Sequence, residues 1–235
     1  MKAMILAAGL GTRLKPLTDR MPKALVVAGG MTLLEHSIRH LKQYGVDEII
    51  INVHHFPDQI RDFLTRHDDF GIRIKVSDES GELLDTGGGL KKAAFFFDDG
   101  RPFILRNVDV ISDLDFARMM EFHRKASSLA TLAVKKRITS RYFLFNDSMR
   151  LCGWLNEKSG EKITVNDAVQ DLQKAAFSGI QILDPQIFPL ITETGKFSLT
   201  SMYLRLAKKN IISGFLDEDS LWEDAGKKIP DIYNV

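Results

Sequence analysis

Arg13 and Lys23 stand ten residues apart in "LAAGLGTRLKPLTDRMPKAL", in the loop region that follows a short apolar run. A guanidinium grips a polyphosphate through two parallel hydrogen bonds, and an ammonium acts as a mobile point charge. Gly9 and Gly11 let backbone N–H groups approach phosphate oxygens with no Cβ in the way. Together these groups suit a nucleoside triphosphate whose pyrophosphate will leave. Further on, "FILRNVDV" ends an apolar run with Asn107 and Asp109. A carboxylate beside a polyphosphate suits Mg²⁺, which takes few protein carboxylates and keeps phosphate and water oxygens as its other ligands. In "ELLDTGGGLKKA" the glycines at a helix start permit close approach of a flat group or a sugar. Each feature has a plainer reading: a tight turn for the glycines, solvated surface for the cations, and helix capping for Thr86 or Asp109. Asp113 and Asp115 fit the capping role better than Asp109.

These residues need elements to hold them. "AMILAA", "EIIINV", "IRIKVS" and "PFILRNVD" predict buried strands. Between them, "MTLLEHSIRHLKQYG" places Leu34, Ile38 and Leu41 on one helical face with Gly45 closing it, and "PDQIRDFLTRH" and "GLKKAAFFF" also predict helices. Strand–helix alternation with short connections implies a parallel sheet with helices on both faces. In the second half, "LATLAV", "RYFLFN", "RLCGWLN" and "AFSGIQIL" predict strands, and "FARMMEFHRKA" and "LTSMYLRLAKK" predict helices. The expected architecture is α/β: a Rossmann-like, mixed and mainly parallel sheet, in a single domain over residues 1–235.

Other functions fit less well. The dinucleotide fingerprint has Leu14 where its third glycine belongs, and "EIIINVHH" ends in histidines instead of the acidic residue a dehydrogenase needs. No stretch supplies a Walker motif. A net charge of +1 gives no bulk attraction to nucleic acid or membrane. The apolar run Ala3 to Ala8 is too short for a signal-peptide core, and Cys152 is the one cysteine, so a reducing cytoplasm is the expected compartment. His36, His40 and His123 fall on helices and are expected to be partly exposed.

The N-terminal stretch resembles the signature of the sugar-1-phosphate nucleotidyltransferases, G-x-G-T-R followed by P-K, with Ala24 in place of the family's second proline. The resemblance implies the nucleotide-diphospho-sugar transferase fold. It also implies transfer of a nucleotide from a triphosphate onto a sugar 1-phosphate. On the matching positions, Ala8, Gly9, Gly11, Thr12 and Arg13 would hold the nucleotide, and Lys23 would contact the α-phosphate. Thr86, Gly87 and Gly88 match a segment that lies against base and ribose. Asp109 matches the metal-binding aspartate of N-G-D, with Val108 in place of the glycine, where its side chain is expected to narrow the approach or alter the backbone. "LWEDAGKK" resembles W-x-D-[VI]-G-T-P, which makes Asp224 the second Mg²⁺ ligand, although Lys227 and Lys228 replace Thr-Pro. "FSGIQIL" resembles the sugar-phosphate half of the site, which adds Gly179 beside Asn107, and "LNEKSGEK" offers Lys158 as a sugar-phosphate lysine.

The implied reaction is in-line attack of a sugar-phosphate oxygen on the α-phosphorus. Arg13 would steady the leaving pyrophosphate, Lys23 the charge at the α-phosphate, and Mg²⁺ on Asp109 and Asp224 would align the two. Within the family the motifs most resemble N-acetylmuramate 1-phosphate uridylyltransferases of cell-wall recycling. Mannose-1-phosphate guanylyltransferases and choline-phosphate cytidylyltransferases stay open. So does a catalytically weak nucleotide-sugar-binding regulator, for which Val108 and the altered tail are the grounds.

Overall fold

A computed structural model describes residues 1–165 and 171–226. In chain order the first half contains β1 (Lys2–Leu6), β2 (Val27–Ala28), β3 (Met31–Thr32), α1 (Leu33–Gln43), β4 (Glu48–Val53), α2 (Pro57–Arg66), β5 (Arg73–Asp78), α3 (Asp85–Lys92), β6 (Phe103–Asn107), β7 (Val110–Ser112) and α4 (Phe116–Lys125). There follow β8 (Ala130–Lys135), β9 (Arg141–Phe145), β10 (Leu151–Asn156), β11 (Glu161–Thr164), β12 (Gln173–Leu183), α5 (Leu199–Leu206), β13 (Ile212–Leu216) and β14 (Trp222–Asp224).

The strands β5, β4, β1 and β6 lie side by side and parallel, with Ile5 of β1 opposite Ile51 and Arg106. Their sequences are continuous apolar runs because both faces are covered. Ala3 and Ile5 point into one core with α1, α2 and α4, whereas Met4 and Leu6 point into the other with α3 and α5. The expected mixed sheet with helices on both faces is what forms. From β6 outward the pairing is mainly antiparallel: β12 pairs with β6 on one side and with β8 and β9 on the other, β10 and β11 extend it, and β13 pairs parallel with β8.

Four strands of two or three residues escape the sequence reading. β7 and β14 pair away from the main sheet, Val110 opposite Asp224, and β2 pairs with β3. Strands of two or three residues carry too little pattern to be read from hydrophobic periodicity.

Two histidines differ from expectation. His40 is 8% exposed and His123 2% exposed. His40 bridges the buried Arg106 guanidinium and the Leu114 carbonyl, and His123 meets the Thr131 hydroxyl at 2.8 Å, so each ring is satisfied internally. Burial lowers both to about 4 and keeps them neutral at pH 7.

Candidate active site

The loop after β1 starts from a buried polar pair. Asn52 on β4 accepts from the Ala7 N–H at 2.8 Å and donates to Glu79 at 2.7 Å, which fixes where the chain leaves the strand. Gly11 then takes φ +64°, and a Cβ there would stand 2.7 Å from the Thr18 methyl. This glycine is required by the turn, whose closure the Thr18 hydroxyl completes by donating to the Gly11 carbonyl. A short 3-10 turn, Thr12–Leu14, presents Arg13 half exposed, at 56% of its side-chain surface. Lys23 follows Pro22 and is only 10% exposed.

The two carboxylates stand 115 residues apart in the chain. Asp109 sits in the turn between β6 and β7, and Asp224 ends β14. The β7–β14 pairing sets them side by side, and the Ala225 N–H donates to the Asp109 carbonyl at 3.0 Å. Asp113 does not cap α4; it accepts from the Leu221 N–H at 2.7 Å and ties down the approach to β14, while Asp115 is the cap. Trp222 donates from Nε1 to the Ser178 carbonyl and stacks under the Arg137 guanidinium at 3.9 Å. Burial lowers the Arg137 pKa, and the charge of Asp224 works against that shift.

Four charges therefore converge. Lys23 pairs with Asp109, and Arg13 reaches Asp224 at 3.6 Å. Gly226 lies among them: a Cβ there would stand 2.6 Å from Lys23 Nζ, 2.9 Å from Asp224 Oδ1 and 3.2 Å from an Arg13 nitrogen. Beneath them Arg106, 1% exposed, donates to the Val110 carbonyl and to His40. Burial brings its pKa down to about 10, against the pull of Asp109, and leaves it a cation at neutral pH.

A cleft of about 380 Å³ opens beside this cluster, lined by Ala8, Gly9, Lys23, Thr86, Asn107 and Asp109 among others. Gly179 takes φ +75° at a break in the β12 register, where a Cβ would meet Val110 at 2.8 Å and Asn107 at 3.0 Å, so Asn107 lies against bare backbone.

Some expected residues stand elsewhere. Gly87 and Gly88 are buried, and their N–H groups donate to the Phe197 carbonyl. A Cβ on Gly87 would stand 2.4 Å from the Phe197 ring, and one on Gly88 2.5 Å from the Gly195 carbonyl. The close approach these glycines allow is that of the chain at 195–197, which corrects the expectation that they face a base or sugar. Thr86 is not the cap of α3, since its hydroxyl accepts from the Leu199 N–H at 3.0 Å and joins α3 to α5. Thr12 lies in the turn and does not line the cleft. Lys158 is exposed in the β10–β11 turn and lines neither the cleft nor the chamber beside it. Val108 is 4% exposed, packs into the core and also lines the cleft, so its side chain forms part of the cleft wall, while its backbone is not in the left-handed region. Lys227 and Lys228 lie outside the described residues.

Asn52 and Arg106 went unread. A lone polar residue inside "EIIINV" or "FILRN" was the available signal. Lys196, also on the cleft wall, had none.

A family model described as "Nucleotidyl transferase" matches residues 2–234. The mannose-1-phosphate guanyltransferase of Yarrowia lipolytica is 33% identical over 233 residues, which is 97% of this chain and 61% of that protein. The N-acetylmuramate alpha-1-phosphate uridylyltransferase of Caulobacter vibrioides is 31% identical over 239 residues, 95% of this chain and 91% of that one. The crystal structure of HddC from Yersinia pseudotuberculosis superposes with a TM-score of 0.76 at 25% identity, covering 99% of this chain and 96% of that one. The chain spans about three fifths of the length of the longer curated relatives it matches.

Proposed function

This chain belongs to the nucleotidyl transferase family, and we propose that it moves a nucleoside monophosphate from a nucleoside triphosphate to a sugar 1-phosphate, with UTP and N-acetylmuramate 1-phosphate as the preferred pair. The observation that carries the reaction is the convergence of Arg13, Lys23, Asp109 and Asp224 around Gly226. The choice of substrates is supported by the likeness to the muramate uridylyltransferase relative, 31% identical over 95% of this chain.

The sugar-phosphate oxygen is already an anion near neutral pH, so no base has to remove a proton. It forms a bond to the α-phosphorus as the bond to the pyrophosphate oxygen breaks. Lys23, held 10% exposed, places its ammonium at the α-phosphate. Arg13, at the open edge, receives the departing pyrophosphate. Ala8 and Gly9 line the nucleotide side of the cleft, and Asn107 lies toward the sugar phosphate.

The donor set fits magnesium. Among the described residues no group of three His, Cys, Asp or Glu side chains is placed to hold a metal, and Asp109 and Asp224 offer two hard oxygen donors side by side. That leaves the other positions to phosphate and water, the usual habit of Mg²⁺. When bound there, Mg²⁺ would supply charge neutralisation between the two phosphate groups. The continuous main sheet supports one nucleotidyltransferase domain over 1–235, and a nucleoside triphosphate substrate fits a cytoplasmic reaction.

The test is pyrophosphate release with Mg²⁺, crossing UTP, GTP, CTP and dTTP with glucose, mannose, N-acetylglucosamine and N-acetylmuramate 1-phosphates. Release confined to UTP and N-acetylmuramate 1-phosphate is the expected result. Release with another pair corrects the substrates, and silence across the panel overturns the reaction.

A further inference from the structure

Two arginines stand behind the two carboxylates. Arg106 lies three residues before Asp109, and its guanidinium turns forward to donate to the carbonyl of Val110, the residue after Asp109. It also donates to His40 Nδ1 at 3.1 Å. A guanidinium has only donors, so Nδ1 is the acceptor and the ring hydrogen sits on Nε2, which gives it to the Leu114 carbonyl. Arg137 stacks on Trp222, two residues before Asp224, and donates to the Phe177 carbonyl at 2.8 Å. Each guanidinium is thus fixed close to one carboxylate by carbonyls and rings. The Nε of each is buried without a partner. Arg106 stays a cation at neutral pH, since burial brings its pKa down only to about 10.

The charges of the site can then be balanced. Lys23 with Asp109 and Arg13 with Asp224 are two neutral pairs. Asp85 and Lys196, the other charged residues that line the cleft, carry one charge of each sign. Glu223 neighbours Asp224 on β14 and so projects to the other face of that strand. Arg106 and Arg137 are the excess. A charge held away from water is screened little by salt, so their field extends into the cleft. Such a field attracts a polyphosphate and repels a free divalent cation. A seated polyphosphate reverses the sign and draws the cation in, and by linkage each of the two ligands then raises the affinity of the other.

We propose that Arg106 and Arg137 set the charge of the unloaded site, so that it holds a polyphosphate without metal and keeps a divalent cation off Asp109 and Asp224 until the polyphosphate is in place. This rests on the reading of the cleft as a nucleoside triphosphate site with those two carboxylates as metal ligands.

The test is calorimetric titration of the full chain with two probes, inorganic pyrophosphate in EDTA and Mn²⁺ alone. The wild-type protein should bind pyrophosphate without metal. Arg106→Met should weaken pyrophosphate about 10-fold and tighten Mn²⁺ about 3–5-fold, in proportion to its smaller charge. Arg137→Met should shift both in the same directions, by less because it is closer to solvent. Opposite signs are the mark of a field. An arginine that only held its carboxylate in place would, on removal, weaken Mn²⁺ binding as well. Arg137→Lys keeps the charge and gives up the planar stack, and should stay within about 3-fold of the wild type for both probes. If the wild-type protein does not bind pyrophosphate in EDTA, or a folded Met variant binds Mn²⁺ no more tightly than the wild type, the proposal is wrong. Should Arg106→Met fail to fold, Arg137→Met and Arg137→Lys decide it by the same signs. Pyrophosphate release by the wild-type protein is read in parallel. Release without the opposed shifts overturns this proposal alone, and the opposed shifts without release overturn the reaction alone.

Discussion

Asp109 follows directly from β6, a strand buried at the centre of the sheet, whereas Asp224 ends the three-residue β14, whose partner is the equally short β7. Their cations differ in the same way: Lys23 is 10% exposed and Arg13 56%. One wall of the site is thus an extension of the central sheet. The other is fastened on from outside by Asp113, Trp222 and the Ala225 N–H. The central wall suits a step that is the same for every substrate, while the fastened wall leaves the rest of the cleft free to vary around a fixed pair of charges.

Unequal consequences of two equal substitutions would sharpen this contrast most. Asp109→Asn and Asp224→Asn should each slow pyrophosphate release, the former by roughly 10³-fold. They should part company in urea denaturation. Asp109→Asn leaves a buried ammonium without its counter-charge and should cost ~3 kcal/mol. Asp224→Asn loses a longer pairing with a half-exposed guanidinium and should cost less, about 1 kcal/mol. Equal midpoints would break the comparison.

Gly226→Ala probes the junction of the two walls. Its Cβ would displace Lys23 Nζ, the far end of a flexible chain, so the melting temperature should hold. Turnover should fall about 10–100-fold, because the displaced atom is the one proposed to meet the α-phosphate. A variant that melts early with full turnover would mean that Gly226 serves packing instead.

Gly87→Ala should behave in the opposite way. Its Cβ would meet the Phe197 ring, which is packed and has little room to yield. A loss of ~1–3 kcal/mol in denaturation is expected, from overpacking. Unchanged stability would return Gly87 to the ligand role first expected of it.

Two buried histidines give the fold as a whole one pH response. His40 and His123 have pKa values of about 4 in the fold, against an ordinary 6.5. As pH falls, the unfolded chain takes up these protons first. Stability is therefore fully present above pH 6.5 and drains away between 6.5 and 4, by on the order of 1–3 kcal/mol per histidine. Urea midpoints at pH 7 and pH 5 should show the drop, and His123→Gln should shrink it. A midpoint that does not change with pH would show that the rings are not held neutral.

The smallest effect is expected at Lys158. With its side chain in an exposed turn away from both cavities, Lys158→Ala should leave the KM for the sugar phosphate within about 2-fold, as surface changes usually do. A larger rise would mean that the β10–β11 turn reaches the substrate.

The parallel strands were legible because burial on both faces leaves an unbroken apolar run, as in "EIIINV" and "FILRN". The chemistry-bearing residues of the first half were legible for a related reason. Ala8 and Gly9 follow β1 closely, Asn107 ends β6 and Asp109 lies in the turn after it, so finding the strand located the residue. Gly87 and Gly88 were misread because a glycine marks close approach without saying what approaches; here Phe197 and Gly195, 110 and 107 residues further on, are the neighbours.

From its order of residues alone this chain set its α/β class, its central strands, the glycine turn and the two cations. These are local matters of periodicity, backbone freedom and charge. Only the tertiary structure could bring Asp224 beside Asp109, bury His40 against Arg106, turn Thr86 toward α5 and leave Gln181 with one unpaired nitrogen. Each depends on which distant segment packs where, and no spacing along the chain records that.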